Sequence, residues 1–236
     1  NKRILQFFND AVHSNNPFNE EHAGNGFLMR RGYTIVWSGW QGDILDGDGR
    51  LTMKLPVAKD GDSDITGIVR TEFISETPDV TLMPLSASDY TKNYPPVLTD
   101  TRTAKFTVRE YETDIREDIA DKDWSFHHLL KKMDAEHAPT HCYFPQGFKP
   151  GWIYELIYQA KNPMIMGLGF TAIRDLVSFL LYEPFDNRGF ANPLSKDGIG
   201  VDKAYAWGRS QSGRFLREFV YSGFNIDTKG RQVFQG

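Results

Sequence analysis

Hydrophobic and polar positions alternate along this chain in three textures. At the start, Ile4-Leu5-Gln6-Phe7-Phe8 is a short apolar run closed by the turn-forming pair Asn9-Asp10, which predicts a buried strand and then a loop. Gly26 to Gly32 predicts a short helix with a glycine stop, and Tyr33-Thr34-Ile35-Val36-Trp37 predicts a second buried strand. Strand, helix and strand at this spacing predict a parallel unit. From Asp43 to about Ala160, Gly and Pro clusters punctuate alternating segments such as Thr66 to Ile74 and Lys105 to Glu112, and Tyr154 to Tyr158 adds another strand. We expect a β-rich insertion over 43–160 that covers the active site, with a short helix around His127-His128-Leu129-Leu130.

After Gly167 the helical period returns. Ile173, Leu176, Val177, Leu180 and Leu181 fall at i, i+3, i+4, i+7 and i+8, with Arg174, Asp175 and Ser178 on the other side, so an amphipathic helix is predicted. Val201 to Trp207 then predicts a strand, and Ser210 to Tyr221 a helix that buries Phe215, Leu216, Phe219 and Val220. A last strand begins at Gln232-Val233-Phe234.

Composition narrows the classes. At 236 residues, 40% hydrophobic and 25% charged, the chain is globular, and a net charge of -4 gives no basic field for nucleic acid or an anionic membrane. No apolar run reaches the length of a membrane span and no signal peptide is seen, so a soluble protein is expected, with the compartment open between cytoplasm and periplasm or exterior. Cys142 is the lone cysteine, so neither an intrachain disulfide nor a cysteine metal site can form. The chain begins at an apolar run without Met, which suggests one segment of a longer protein.

The chemistry concentrates in Trp207-Gly208-Arg209-Ser210-Gln211-Ser212-Gly213. A serine hydroxyl is a weak nucleophile at neutral pH and needs an exposed, fixed geometry, a base, and donors aimed at the developing oxyanion. A sharp strand-to-helix turn supplies the geometry only if the residues two before and two after the serine are small. Gly208 and Ser212 meet that demand around Ser210, whereas Ser212 as nucleophile would place Arg214 at a small position. The turn assigns one oxyanion donor to the backbone N–H of Gln211 and a second to the loop after the first strand, at Asp10 or Ala11. The competing reading is an ordinary helix N-cap, for which serine is also favoured.

The stretches N-D-A-V-H-S-N-N-P-F, M-R-R-G-Y-T-I-V-W-S-G-W-Q-G-D, G-F-K-P-G-W-I-Y-E-L-I-Y-Q-A-K-N-P, G-L-G-F-T-A-I-R-D-L-V-S-F-L and W-G-R-S-Q-S-G-R-F-L-R-E-F resemble a family of bacterial alpha/beta-hydrolase-domain proteins, over the whole of 1–236. The resemblance implies an α/β fold, a partial alpha/beta-hydrolase domain with a mostly parallel sheet and helices on both faces, with Ser210 as nucleophile and ester-type chemistry, but it implies no particular substrate. We expect a small-molecule ester as partner and no cofactor. One departure stands out: such triads run serine, acid, histidine along the chain, and no histidine follows Ser210. Asp227 and Glu218 are not placed as a triad acid, so the acid and base are expected in a segment beyond Gly236 and this piece alone is expected to be inactive. His13 is a further candidate base, from a loop expected near the oxyanion site.

Two other classes compete. A non-catalytic binding or scaffold module would keep the fold without a triad. A dinucleotide binder would use Gly167, Gly169 and Ala172, which fit G-x-G-x-x-A at a helix start, although the preceding segment is short for a strand and no acid follows to hold a ribose. Asp43 to Gly49 lacks the twelfth-position carboxylate of a calcium loop, and His137 and His141 lack the glutamate of a zinc protease, so no metal is assigned. Trp37, Trp40, Trp152 and Trp207 lie near strand ends, where they could line an apolar pocket or fill core.

Overall fold

A computed structural model of the chain describes residues 3–8, 25–45, 51–86, 88, 90–128, 138–195 and 200–236, the first of these segments by its backbone alone. The chain divides into two compact units, one of Asn1–Leu55 with Met166–Gly236 and the other of Pro56–Ile165. In chain order the strands and helices are β1 (Arg3–Phe8), α1 (Phe27–Arg30), β2 (Tyr33–Ser38), β3 (Lys59–Asp60), β4 (Ser63–Asp64), β5 (Thr66–Ile74), β6 (Leu82–Pro84), β7 (Lys105–Arg109), β8 (Glu117–Asp118), β9 (Ser125–His127), β10 (His141–Tyr143), β11 (Ile153–Lys161), α2 (Leu168–Tyr182), β12 (Lys203–Trp207) and α3 (Gln211–Tyr221).

The expected alpha/beta-hydrolase architecture is not what these residues form. Among the described residues the strands that pair parallel form one three-stranded sheet of order β12-β1-β2, and the other sheets, built from β3 to β11, are antiparallel. Among the described residues strand outweighs helix, and helices do not cover both faces of a parallel sheet. The alternating segments between Gly and Pro clusters have, among the described residues, no crossover helices between them and pair antiparallel, with partners such as β5 and β11 or β6 and β10 far apart in sequence. The short helix expected around His127 is absent where the residues are described: Ser125–His127 is β9, paired with β10, and Leu129 and Leu130 lie outside the described residues.

In the first unit, α2 and α3 turn their apolar stripes into one core with Val201, Ala204 of β12, Val233 and Phe234. Ile173, Val177, Leu180 and Leu181 of α2 are buried, as the period predicts, and so are Phe215 and Phe219 of α3. Burying each such side chain contributes about 1.5 to 3 kcal/mol. Val220, expected on the buried side, is 59% exposed, because α3 is narrower in its contact than its sequence stripe. The carboxyl end of α2 is closed by a side chain from outside the helix: the Asn192 amide donates to the carbonyls of Phe179, Leu180 and Glu183. The segment after α3 carries no assigned strand, yet the Gln235 N–H donates to the Ala204 carbonyl and the Ala206 N–H to the Gly236 carbonyl, so it runs beside β12.

Asp227 anchors that C-terminal segment. Its carboxylate, 3% exposed, accepts from the Ser178 hydroxyl at 2.6 Å, from the Arg231 guanidinium at 2.8 Å, and from the backbone N–H groups of Lys229 and Arg231. Burial alone would push this carboxyl up, but the four donors outweigh it and hold the group well below its ordinary value. A depressed native value means stability that is complete above the ordinary carboxyl range and is lost as the pH falls through the native value. Asp227→Asn should therefore cost about 1.5 to 3 kcal/mol at neutral pH and flatten the acid limb of stability below about pH 4. Urea unfolding of both proteins between pH 7 and pH 2 measures both effects.

The second unit is held by an aromatic core. Phe73, Phe106, Phe144, Phe148 and Tyr154 meet edge to face or tilted, with Phe148 and Tyr154 centred 4.9 Å apart. β11 is the spine of its four-stranded sheet, in the order β5-β11-β7-β8. Cys142 is fully buried in this core, and burial pushes its thiol far above the ordinary range, so it is inert.

Candidate active site

Ser210 sits between β12 and α3, where the sequence predicts a sharp turn. Its backbone takes φ 54° and ψ -118°, outside the regions that L-residues populate. Asp79 and Asn162 also have positive φ, but those side chains are the ones that tolerate it, and Ser210 is neither glycine, Asn nor Asp. A conformation of this kind costs about 1 to 3 kcal/mol and persists only where surrounding structure enforces it.

The enforcement is visible in the flanking small residues. A Cβ on Gly208 would lie 2.6 Å from the carbonyl oxygen of Ser212 and 3.0 Å from the nitrogen of Gly213, so the strand end and the first helical turn touch backbone to backbone. Ser212 is completely buried, and its hydroxyl has no hydrogen-bond partner among the described residues. A larger residue at 208 or 212 has no room, which is the physical content of the small-x-Ser-x-small spacing.

The turn leaves the Ser210 side chain outside. The residue is exposed, and its hydroxyl makes no capping hydrogen bond to the helix. An N-cap serine earns its place by that bond. The helix-cap reading therefore has no contact to support it.

Gln211 opens α3, so its N–H is among the amides without an intrahelical acceptor, at the positive end of the helix dipole. The first turn carries no acidic residue, and Arg209 and Arg214 are exposed beside it, so a developing negative charge there meets a positive field. The Gln211 side chain, through Nε2, donates to the Gln41 Oε1 at 3.3 Å and ties the start of α3 to the segment after β2. That segment is itself packed closely: Trp40 stacks on Phe215 at 4.5 Å, and a Cβ on Gly169 would lie 2.5 Å from the Trp40 carbonyl oxygen.

The parallel register places the carboxyl ends of three strands together, with Phe7 opposite both Trp37 and Trp207 and Phe8 opposite Ser38. β1 thus ends at the same edge of the sheet as the Ser210 turn. Asp10, Ala11 and His13 follow it and lie outside the described residues, as do His22 and His137. Among the described residues the unit that holds Ser210 contains no histidine, since His127, His128 and His141 belong to 56–165. Asp227 cannot substitute as an orienting acid, because its lone pairs are already occupied by four donors. Glu218 faces Ser222, one turn further along α3.

The tryptophans divide. Trp40 packs against the core of the first unit and Trp152 against that of the second, where Lys149 covers its ring. Trp37 and Trp207 stand at the carboxyl edge of the sheet, Trp207 half exposed. Of the glycines in the dinucleotide-like stretch, Gly169 is needed for contact with Trp40, and Pro163 to Met166 is not a strand. Among the described residues no cluster of metal ligands exists and no helix is long and apolar enough to cross a membrane.

No protein-family model matches the chain, and comparison with curated proteins and with solved structures finds no match.

Proposed function

We propose that the protein is a serine hydrolase that cleaves a small carboxylic ester by acyl transfer through Ser210. The observation that carries this reading is the backbone of Ser210: a strained conformation, locked by Gly208 against Ser212, that presents an exposed hydroxyl, without a capping hydrogen bond, at a helix N-terminus. Strain with no structural benefit to the serine is what a positioned nucleophile needs and a cap does not.

In the reaction, the Ser210 Oγ bonds to the ester carbonyl carbon as its proton passes to a general base. The carbonyl oxygen becomes an oxyanion facing the Gln211 N–H, and collapse expels the alcohol, which takes up the proton. Water then attacks the acyl-serine by the reverse proton route and releases the acid. The base is expected outside the described residues, with His13 one candidate. A non-catalytic binding module is the second reading, and the observation favouring it is the lack of a described histidine in the Ser210 unit.

A fluorophosphonate probe applied to the encoded protein tests this directly. The expected result is one phosphonyl adduct, mapped by peptide mass spectrometry to Ser210 and lost in Ser210→Ala. An unlabelled protein, or an adduct on another residue, overturns the reading.

A further inference from the structure

β5 is nine residues long and, among the described residues, forms one edge of its sheet, paired with β11 alone. Which of its backbone groups point outward follows from the ladder. The Asn162 N–H donates to the Ile65 carbonyl and the Gly151 N–H to the Ser75 carbonyl, so the odd-numbered residues of this strand are aimed at β11. The opposite edge of β11 agrees: Val97 donates to Gln159, and Lys161 donates to Pro95. The N–H and C=O groups of Thr66, Ile68, Arg70, Glu72 and Ile74 therefore point away from the sheet, and none of them has a hydrogen bond among the described residues.

Exposed edges of this length are usually guarded by Lys, Pro or a bulge. β5 has none of these within it. Its solvent-facing side chains are Ile68, 73% exposed, and Ile74, 50% exposed, on either side of Arg70 and Glu72, which are paired with each other at 3.0 Å.

We propose that β5 pairs with β5 of a second copy of this chain, antiparallel, about a two-fold axis beside Thr71. Only registers that set even-numbered residues opposite even-numbered residues let the outward groups bond to each other. Centring the axis on Arg70 puts Arg70 opposite Arg70 of the second copy, and centring it on Glu72 puts Glu72 opposite Glu72. Like charges directly opposite are destabilising. Centring it on Thr71 instead sets Arg70 opposite Glu72 twice, Ile68 opposite Ile74 twice, and Thr71 opposite Thr71. Apolar, opposite-charge and Thr–Thr pairs are the combinations that stabilise adjacent antiparallel strands. The strand is thus complementary to itself in the register that satisfies its outward backbone groups and sets its opposite charges face to face, and two sheets would join into one continuous antiparallel sheet.

Sedimentation velocity on the encoded protein over a concentration series should show a monomer–dimer equilibrium. Ile68→Lys sets a charge against Ile74 at both symmetric positions and should weaken dimerisation at least tenfold, with the thermal melt of the monomer unchanged. Thr71→Cys should form a disulfide-linked dimer under a mild disulfide oxidant, because residue 71 faces its own copy in a non-hydrogen-bonded pair, where Cα atoms stand about 4.5 Å apart. Val69→Cys, displaced from its own copy along the strands, should not, and buried Cys142 does not compete. A protein monomeric throughout, a dimer indifferent to Ile68→Lys, or equal linkage through residues 69 and 71 overturns the proposal, as does a monomer that captures only an unrelated extended peptide.

Discussion

Ser210→Gly is expected to do two opposite things to the encoded protein. Ester turnover, followed with a p-nitrophenyl acyl ester, should fall by about 10^4-fold or more, because loss of a nucleophile removes the covalent route and leaves only binding and oxyanion donors. Stability should rise by about 1 kcal/mol. Glycine adopts positive φ without penalty and releases strain of about 1 to 3 kcal/mol, against about 0.4 to 1 kcal/mol lost to the greater freedom of the unfolded chain. If Ser210 were only a helix cap, its removal would lower stability and leave turnover alone. Urea unfolding read beside the hydrolysis rate separates the two roles by sign, and a destabilised variant with full turnover would refute the nucleophile.

The second large effect lies in the other unit. Glu155→Gln should destabilise the protein by about 3 to 5 kcal/mol, the cost of leaving a buried charge uncompensated. Glu155 is 3% exposed and sits among three guanidiniums: Arg109 at 2.8 Å, Arg116 at 2.8 Å and Arg70 at 2.7 Å. Burial drives its carboxyl upward, yet the Arg116 hydrogen bond and the charges of Arg109, Arg70 and Arg116 prevail, and the net value is lowered. Arg109 decides the magnitude, because its side chain is 5% exposed and its remaining acidic neighbour, Glu72, is 3.9 Å away. Arg70 and Arg116 are about half exposed, so losing either should cost about 0.2 to 1 kcal/mol. Replacing the buried pair together, Glu155→Leu with Arg109→Met, should recover most of the loss, since a well-packed apolar pair substitutes for a buried ion pair at little net cost. Chemical denaturation of the single and double variants gives the cycle, and a double variant as unstable as Glu155→Gln would contradict it.

Local chemistry was legible where period and side-chain size act within a few residues. The stripe of Ile173, Val177, Leu180 and Leu181 marks α2, and the small residues 208 and 212 mark the turn at Ser210, because both constraints are satisfied by neighbours in sequence. The architecture was not legible, since strand partners depend on segments far apart: Thr66–Ile74 reads as a strand by itself, but nothing in it names Ile153–Lys161 as its antiparallel neighbour. Charges are harder still. Glu155 lies in a strand pattern that looks merely apolar and alternating, and its three arginines come from three other parts of the chain. Asn192 likewise closes a helix that ends ten residues before it, so no capping signal at Tyr182 could have revealed it.

The pairing of β1 with β12 has a consequence for biosynthesis. β1 finds β2 soon after it leaves the ribosome, but its other edge must wait for Lys203–Trp207. At about 5 to 20 residues per second, the roughly 200 intervening residues take on the order of 10 to 40 seconds to make. Throughout that interval the nascent Ile4-Leu5-Gln6-Phe7-Phe8 strand lacks β12 on its other edge, and the protein's dependence on chaperones should be greatest then.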